Sequence, residues 1–329
     1  MSDRPVEPVR RRRPVDALIQ IAGFAIGIAL IVWCARRALE GGGADEIRER
    51  VVTAPVWLHA MLLLTTLVSL IANGALFWIL IRPVHPLPFR EVQAVNLLAS
   101  FLNYAPLPLR LGLFARAAYH WRVNRMSAPL IAAWFAAALV SIGVGVGAVA
   151  LAMLLAPQIG LPGVAAATLV LAAIGVMTVV WTARRSLFAR WMRGNERMLT
   201  DGRAFGGATA LRILDLASWA ARMVCAVLIL DIPISTTQAA FLGLTAVVAS
   251  MSPFGRFGFR EAAVAWVASN IFEGAVTADD LTATFARLAL LESAAEGAVT
   301  IPLGTIAAGW CWMRYRATAL TLRRENSTQ

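Results

Sequence analysis

Pro253-Phe254-Gly255-Arg256-Phe257-Gly258-Phe259-Arg260-Glu261 puts two arginines and a carboxylate inside a run that is otherwise as apolar as lipid. A charged side chain at mid-bilayer costs at least ~2.5–3.5 kcal/mol on insertion scales, so such residues face a bundle interior or a water-filled path. The proline and glycines break the helix where the charges sit. Non-helical backbone at membrane depth is tolerated only where protein or a cavity covers it. The stretch therefore predicts an all-α polytopic membrane protein with a polar interior.

The rest of the chain agrees. Of 329 residues, 59% are hydrophobic and only 15% charged. Apolar windows of about 20 residues, the length that crosses a hydrocarbon core, recur throughout and leave no room for a soluble catalytic domain. All 30 basic residues are arginine, and the formal net charge is +11. Without lysine there is no amine nucleophile, whereas guanidinium forks suit phosphate and carboxylate. The arginines lie in short loops beside apolar spans, a topology signal and not the clustered basic face of a nucleic-acid binder.

Cys34, Cys225 and Cys311 lie in or at the ends of spans and read as packing residues. His59, His85 and His120 form no ligand pattern with them, so neither a disulfide framework, a metal site nor a cofactor is expected. Arg10 to Arg13 precede the apolar run Ala17–Cys34, but the flank Ala35-Arg36-Arg37 is not a small-residue cleavage site, so this first span is expected to stay.

Arginine placement orients the chain. The tail with Arg4 and Arg10 to Arg13, the segment Arg116 to Arg125 and the segment Arg184 to Arg203 are expected on the cytoplasmic side. The uncharged link Ala156 to Pro162 and the acidic links Asp231 to Ser235 and Glu273 to Leu281 face the other way. Six full crossings satisfy this: Ala17–Cys34, Trp57–Ile81, Pro129–Leu155, Val164–Thr182, Ala208–Leu230 and Leu281–Met313. Val92–Leu113, broken at Asn103-Tyr104-Ala105-Pro106-Leu107-Pro108, and Gln238–Ile271, broken from Ser252 to Gly258, read as re-entrant hairpins from opposite sides. The expected organisation is a basic cytoplasmic tail (1–16), one transmembrane domain (17–313) and a second basic cytoplasmic tail (314–329), in a bacterial-type inner membrane.

Arg110-Leu111-Gly112-Leu113 and Arg256-Phe257-Gly258-Phe259 stand 146 residues apart, each following a proline break. The flanking units, 57–155 and 208–313, run in opposite senses. This is the pattern of an inverted repeat, which in transporters brackets a midplane binding site.

At these residues the chain resembles the family of the lysylphosphatidylglycerol synthase transmembrane region, flippase-like membrane proteins. Its Pro-x-Gly-Gly-x-Gly-x-Arg-Glu motif is similar to Pro253 to Glu261, followed by Arg287, and its Arg-x-Gly-Glu-x-x-Arg motif to Arg110 to Arg116. The pattern departs from the family where Leu113 replaces a glutamate and Arg256 a glycine, and a Glu-Arg-x-x-Asp sequence is missing from Trp134 to Gly147. A lysyl-transferring domain is not expected here, so lipid aminoacylation is not carried over from the resemblance. The resemblance implies a core that moves or exposes a lipid headgroup.

The residues point the same way. Arg256 and Arg260 lie at a helix opening, where free N–H groups already favour an anion. Headgroup binding or gating is thus assigned to Arg110, Gly112, Arg116, Gly255, Arg256, Gly258, Arg260 and Glu261, with Glu261 pairing to Arg110 or Arg116 as a latch or, alternatively, capping its own helix while Arg260 snorkels. Arg222, Arg287, Glu292 and Glu296 are secondary cavity candidates. Glu292 and Glu296 share a helical face, where like charges are costly unless an arginine or a proton intervenes. Arg212 and Asp215 are spaced to pair.

Plainer readings cover the remaining motifs. Thr277-Ala278-Asp279-Asp280 reads as an N-cap with acids in the first turn, and Gly143-Val144-Gly145-Val146-Gly147 as a close-packing stripe. Asn73, Asn96 and Asn103 fit interhelical hydrogen bonds, and Trp57, Trp78, Trp181, Trp310 and Trp312 an interfacial belt.

The expected function is binding and translocation of an anionic lipid or lipid-linked headgroup, without enzymatic activity. The alternatives are an intramembrane lipid-modifying transferase and a lipid-binding assembly factor. Expected partners are a membrane phospholipid or polyprenyl-linked lipid, with a homo-oligomer and a separate enzyme supplying modified lipid left open. No nucleic-acid partner is expected.

Overall fold

The computed structural model describes residues 14–40, 43–104, 111–185, 192, 194–250, 258–271 and 278–327. Every regular element among them is helical. In chain order these are α1 (Pro14–Leu39), α2 (Gly43–Thr53), α3 (Val56–Ile81), α4 (Phe89–Leu102), α5 (Leu111–Arg122), α6 (Ala128–Leu154), α7 (Ala156–Ala183), α8 (Arg197–Thr200), α9 (Gly202–Ile229), α10 (Thr236–Ser250), α11 (Phe259–Ile271) and α12 (Ala278–Ser327).

Local chemistry sets several of these ends. Ser127 Oγ accepts the Leu130 N–H at 3.4 Å ahead of α6, with Pro129 in the first turn, where a missing N–H costs nothing. Asp201 caps α9, its Oδ1 accepting from the N–H groups of Arg203 and Ala204 at 2.9 and 3.2 Å. Of the described helices, α3, α6 and α7 are long and apolar enough to cross a membrane. The equally long α9 is interrupted by buried Arg212, Asp215 and Arg222, and such charges in a long helix need partners inside the bundle.

The helices follow the apolar pattern, with informative differences. α7 begins at Ala156, ahead of the expected Val164, and turns sharply at Gly160 (φ 64°) two residues before Pro162. α12 runs on past Met313 to Ser327. Between the first two apolar segments lies α2, Gly-Ala-Asp-Glu-Ile-Arg-Glu-Arg-Val-Val-Thr, which is too polar for an apolar scan to find. Ion pairs fasten it: Arg50 Nη1 to Asp231 Oδ2 at 2.9 Å, and Glu46 to Arg287 of α12.

The centre of the bundle is the α3–α9 pair. Thr66 meets Arg222 while Ser69 meets Asp215, so the register rises along one helix as it falls along the other and the pair is antiparallel. On one side Leu76, Leu80, Val92, Trp134 and Phe205 form an apolar core; on the other, Leu216, Met223, Leu242, Val264 and Phe285 form a second. The outer surface stays apolar: Leu139, Leu151, Leu169, Val170, Ile174 and Met177 are exposed, as lipid-facing positions must be.

The glycine stripe of α6 packs differently from its sequence reading. A Cβ on Gly145 would meet the Arg212 side chain, whereas Gly143 and Gly147 face open space. The close approach to α9 is made by the middle glycine, because the outer two lie on another face of the helix. The first turn expected at Thr277 begins outside the described residues, and α12 is described from Ala278.

Candidate functional site

Among the described residues, five ionisable side chains converge where α9, α11 and α12 meet beside α3: Arg222, Arg260, Glu261, Glu292 and Glu296, each at most 4% exposed. Arg222 projects from the middle of α9 into this space. Its Nε pairs with Glu292 Oε1, its Nη2 lies 3.7 Å from Glu296 Oε2, and its Nη1 donates to Thr66 Oγ1 of α3 at 3.2 Å. The guanidinium lies over the Trp219 ring, 4.1 Å from its centroid, one turn back on the same helix.

Arg260, the second residue of α11, touches all three carboxylates. Nη1 lies 2.5 Å from Glu296 Oε2 and 3.4 Å from Glu292 Oε2, and Nη2 lies 3.2 Å from Glu261 Oε1. Nη2 also reaches Ser293 Oγ. Ser293 in turn donates to Glu261 Oε1 at 2.5 Å, which ties α11 to α12. Glu292 and Glu296 lie one turn apart on one face, and the cost of that like-charge pair is offset because Arg222 and Arg260 both reach them.

The opening of α11 needs glycine twice over. Gly258 has φ 82°, the left-handed region that L side chains rarely adopt, and a Cβ there would run into the Gly27 carbonyl of α1. Its N–H donates to Glu261 Oε2 at 2.9 Å, so Glu261 does cap its own helix start. Arg260 does not snorkel: it is 3% exposed and faces inward. The expected latch from Glu261 to Arg116 is not formed either, because Ser293, Arg260 and the Gly258 N–H already hold Glu261. Arg110, Gly255 and Arg256 lie outside the described residues.

The first half carries a different arrangement. Gly112 opens α5, donating its N–H to Asn103 Oδ1 at 3.1 Å, and a Cβ there would strike the Ala99 carbonyl of α4. Arg116, one turn on and buried, donates through Nη2 to Asn96 Oδ1 at 2.6 Å and stacks on the Phe77 ring at 3.7 Å. Asn96 itself donates to the Leu70 carbonyl at 3.0 Å, the interhelical role expected of it. Glu91, which sequence reasoning did not single out, is buried near the far end of α5 and accepts from Asn124 at 2.9 Å and from Tyr119 at 3.3 Å.

Arg287 stands apart from the cluster. It donates through Nε to the Ala38 carbonyl at 3.0 Å and pairs with Glu46, so it braces the α1–α2 connection. Arg212 and Asp215 form the expected pair, and Ser69 of α3 donates to the same carboxylate. Cys34, Cys225 and Cys311 are free and buried.

Sequence reasoning missed Thr66, Trp219 and Ser293. Trp219 stands three residues before Arg222, and Ser293 lies between Glu292 and Glu296, so helical spacing from each charge would have found both.

A helical membrane bundle whose interior holds arginines and carboxylates at a helix break is thus the class that fold and site define. A sequence profile described as the lysylphosphatidylglycerol synthase TM region matches residues 20–289. The chain belongs to that family. The match ends within α12 ahead of Glu292 and Glu296, so part of the cluster lies beyond it. No curated protein and no solved structure matches.

Proposed function

We propose that this protein is a flippase-like carrier that binds an anionic lipid or lipid-linked headgroup between its two halves and moves it across a bacterial-type inner membrane. The observation that carries this reading is the buried cluster of Arg222 and Arg260 with Glu261, Glu292 and Glu296. A guanidinium pair over one indole offers a phosphate bidentate donors. The family itself is linked to lipid handling.

In this reading α1, α3, α6, α7, α9 and α12 cross the membrane, and the α4–α5 and α10–α11 pairs are re-entrant hairpins from opposite sides. Both termini lie in the cytoplasm. An inverted repeat has support from one contact. Ser69 and Asp215 are 146 residues apart, the same interval that separates Gly112 from Gly258, and they hydrogen-bond to each other. Equivalent positions meet where a pseudo-two-fold axis passes, and an antiparallel α3–α9 pair is what an axis in the membrane plane requires. Rocking of one unit against the other about this pair would expose the cluster to each side in turn.

The test is transbilayer movement of fluorescent phospholipids and polyprenyl lipids in reconstituted vesicles. The expected result is movement of anionic lipids above the protein-free rate, reduced by Arg260→Ala. Movement unaffected by Arg260→Ala and Glu261→Ala would overturn the site. Chemically altered lipid would favour a transferase, and binding without movement an assembly factor.

A further inference from the structure

Among the described residues, the buried arginines Arg212, Arg222 and Arg260 each pair with at least one carboxylate. Arg116, on α5, pairs with none of those described. It is 7% exposed, and its described partners are the Asn96 amide oxygen, 2.6 Å from Nη2, and the Phe77 ring, 3.7 Å away at its centroid. Its Nε is fully buried and has no hydrogen-bond partner among the described residues. A neutral amide and a ring face solvate a guanidinium in part and leave its charge uncancelled, which is costly in a buried place.

The neighbouring sequence supplies no acid to cancel it. Residues 88–125, which include α4 and α5, contain a single carboxylate, Glu91. Glu91 is committed elsewhere: it accepts from Asn124 at 2.9 Å and Tyr119 at 3.3 Å, and lies 4.0 Å from Arg314. Residues 105–110, which lead into α5, read Ala-Pro-Leu-Pro-Leu-Arg and by sequence add only a further cation. His120, one turn beyond Arg116 and near enough to feel its charge, is a base and no counter-ion.

An unused N–H, an uncancelled positive charge and a low local dielectric are the conditions in which a guanidinium holds a phosphate oxygen strongly. We propose that Arg116 centres a second phosphate subsite, separate from the Arg222–Arg260 cluster, which takes the oxyanion of a lipid phosphodiester or of free phosphate. A lipid bound there has a place for its chains. Leu113 and Phe114, within one turn of Arg116, are apolar and 49% and 51% exposed. The inference goes beyond the function proposed above, because the described partners of Arg116 belong to α3 and α4 and none to the cluster. Each half of the protein then holds one phosphate group.

Stoichiometry tests this. The purified full chain in detergent is titrated calorimetrically with dioctanoyl phosphatidylglycerol, with inorganic phosphate in a parallel arm and dioctanoylglycerol as the phosphate-free control. The unmodified protein should bind two phosphatidylglycerol molecules per chain, and Arg260→Gln should remove one of them. Asn96→Asp puts a carboxylate where the amide oxygen meets Arg116, while the Leu70 carbonyl keeps its bond from Gln93 at 3.2 Å. It should remove the other equivalent, and so should Arg116→Gln. The two variants guard against misfolding, since one adds an ion pair and the other deletes a buried charge, and only loss of the anion site is common to both. If the same equivalent is lost with inorganic phosphate as probe, the ligand is the free ion; if it is seen with the lipid alone, the ligand is the headgroup. Either result supports the subsite.

Binding that both Asn96→Asp and Arg116→Gln leave intact overturns the second subsite, and if Arg260→Gln removes it the cluster still stands. A single equivalent that Arg260→Gln leaves and the other two variants remove overturns the cluster as headgroup site and leaves Arg116 standing. Dioctanoylglycerol bound with the same dependence on Asn96 and Arg116 overturns the phosphate chemistry.

Discussion

Replacing Arg222 by methionine removes the cation that joins α9 to α12 while keeping an unbranched apolar chain of similar reach. At the 3.7 Å separation of Arg222 and Glu296, with an effective dielectric of about 20, the lost attraction from that contact alone is about 4.5 kcal/mol. The closer pairing with Glu292 is lost as well. Desolvation already paid in the native state offsets part of this, and removing one partner of a buried ion pair costs about 3–5 kcal/mol in practice. Arg222→Met should therefore destabilise the protein by about that amount. Replacing both partners with apolar side chains removes the stranded charge, so Arg222→Met combined with Glu292→Met should recover about 2–3 kcal/mol of the loss. The assay is a double-mutant cycle on unfolding free energies from denaturing-detergent titration. A single-variant cost below about 1 kcal/mol, or a double variant as unstable as the sum of the singles, would refute the claim that these charges form one cooperative unit.

Other substitutions probe the supports of the site by the same unfolding measurement. Gly258→Ala should cost about 1–3 kcal/mol, because φ 82° and the nearby Gly27 carbonyl both oppose a side chain, and a neutral result would show that the α11 opening is not held this way. Gly145→Val should force α6 from Arg212 and destabilise by about 1–3 kcal/mol, whereas Gly147→Ala, in open space, should be neutral or stabilising by up to about 1 kcal/mol; equal effects would contradict the assigned packing face. Asp215→Asn strands Arg212 and should cost about 3 kcal/mol, clearly more than Ser69→Ala at about 1 kcal/mol. The reverse order would place the weight of this central contact on the hydroxyl instead of the ion pair.

Much of the architecture was readable because apolar length is a strong signal. α3 and α6 begin within one residue of their predicted starts at Trp57 and Pro129. The breaks were readable too, since glycine and proline beside Arg260 have few uses in a lipid-like run. Polar α2 escaped because its position depends on Glu46 and Arg50 finding Arg287 and Asp231 far along the chain. The cluster was half legible: each charge stood out against its apolar surroundings, but the partners did not. Spacing along one helix brings Glu292 and Glu296 together, whereas the choice between Arg222 and Arg287 as their neutralising cation depends on how α9 and α12 cross, and no local pattern encodes that. The Arg116 alternative of the proposed Glu261 latch is not formed for a related reason, while Arg110 lies outside the described residues. Ser293 and the Gly258 N–H already occupy the Glu261 carboxylate.

The central claim is that the headgroup sits among Trp219, Arg222, Arg260 and Glu296, and it can be tested by labelling the site from the lipid. A phosphatidylglycerol analogue with a photoreactive group at the headgroup, incorporated with the full chain into vesicles and irradiated, should leave adducts on peptides spanning 219–222, 258–261 and 292–296, with Arg260→Ala reducing them. Adducts confined to the outer faces of α6 and α7, around Leu139, Leu169 and Met177, and indifferent to Arg260→Ala, would contradict it.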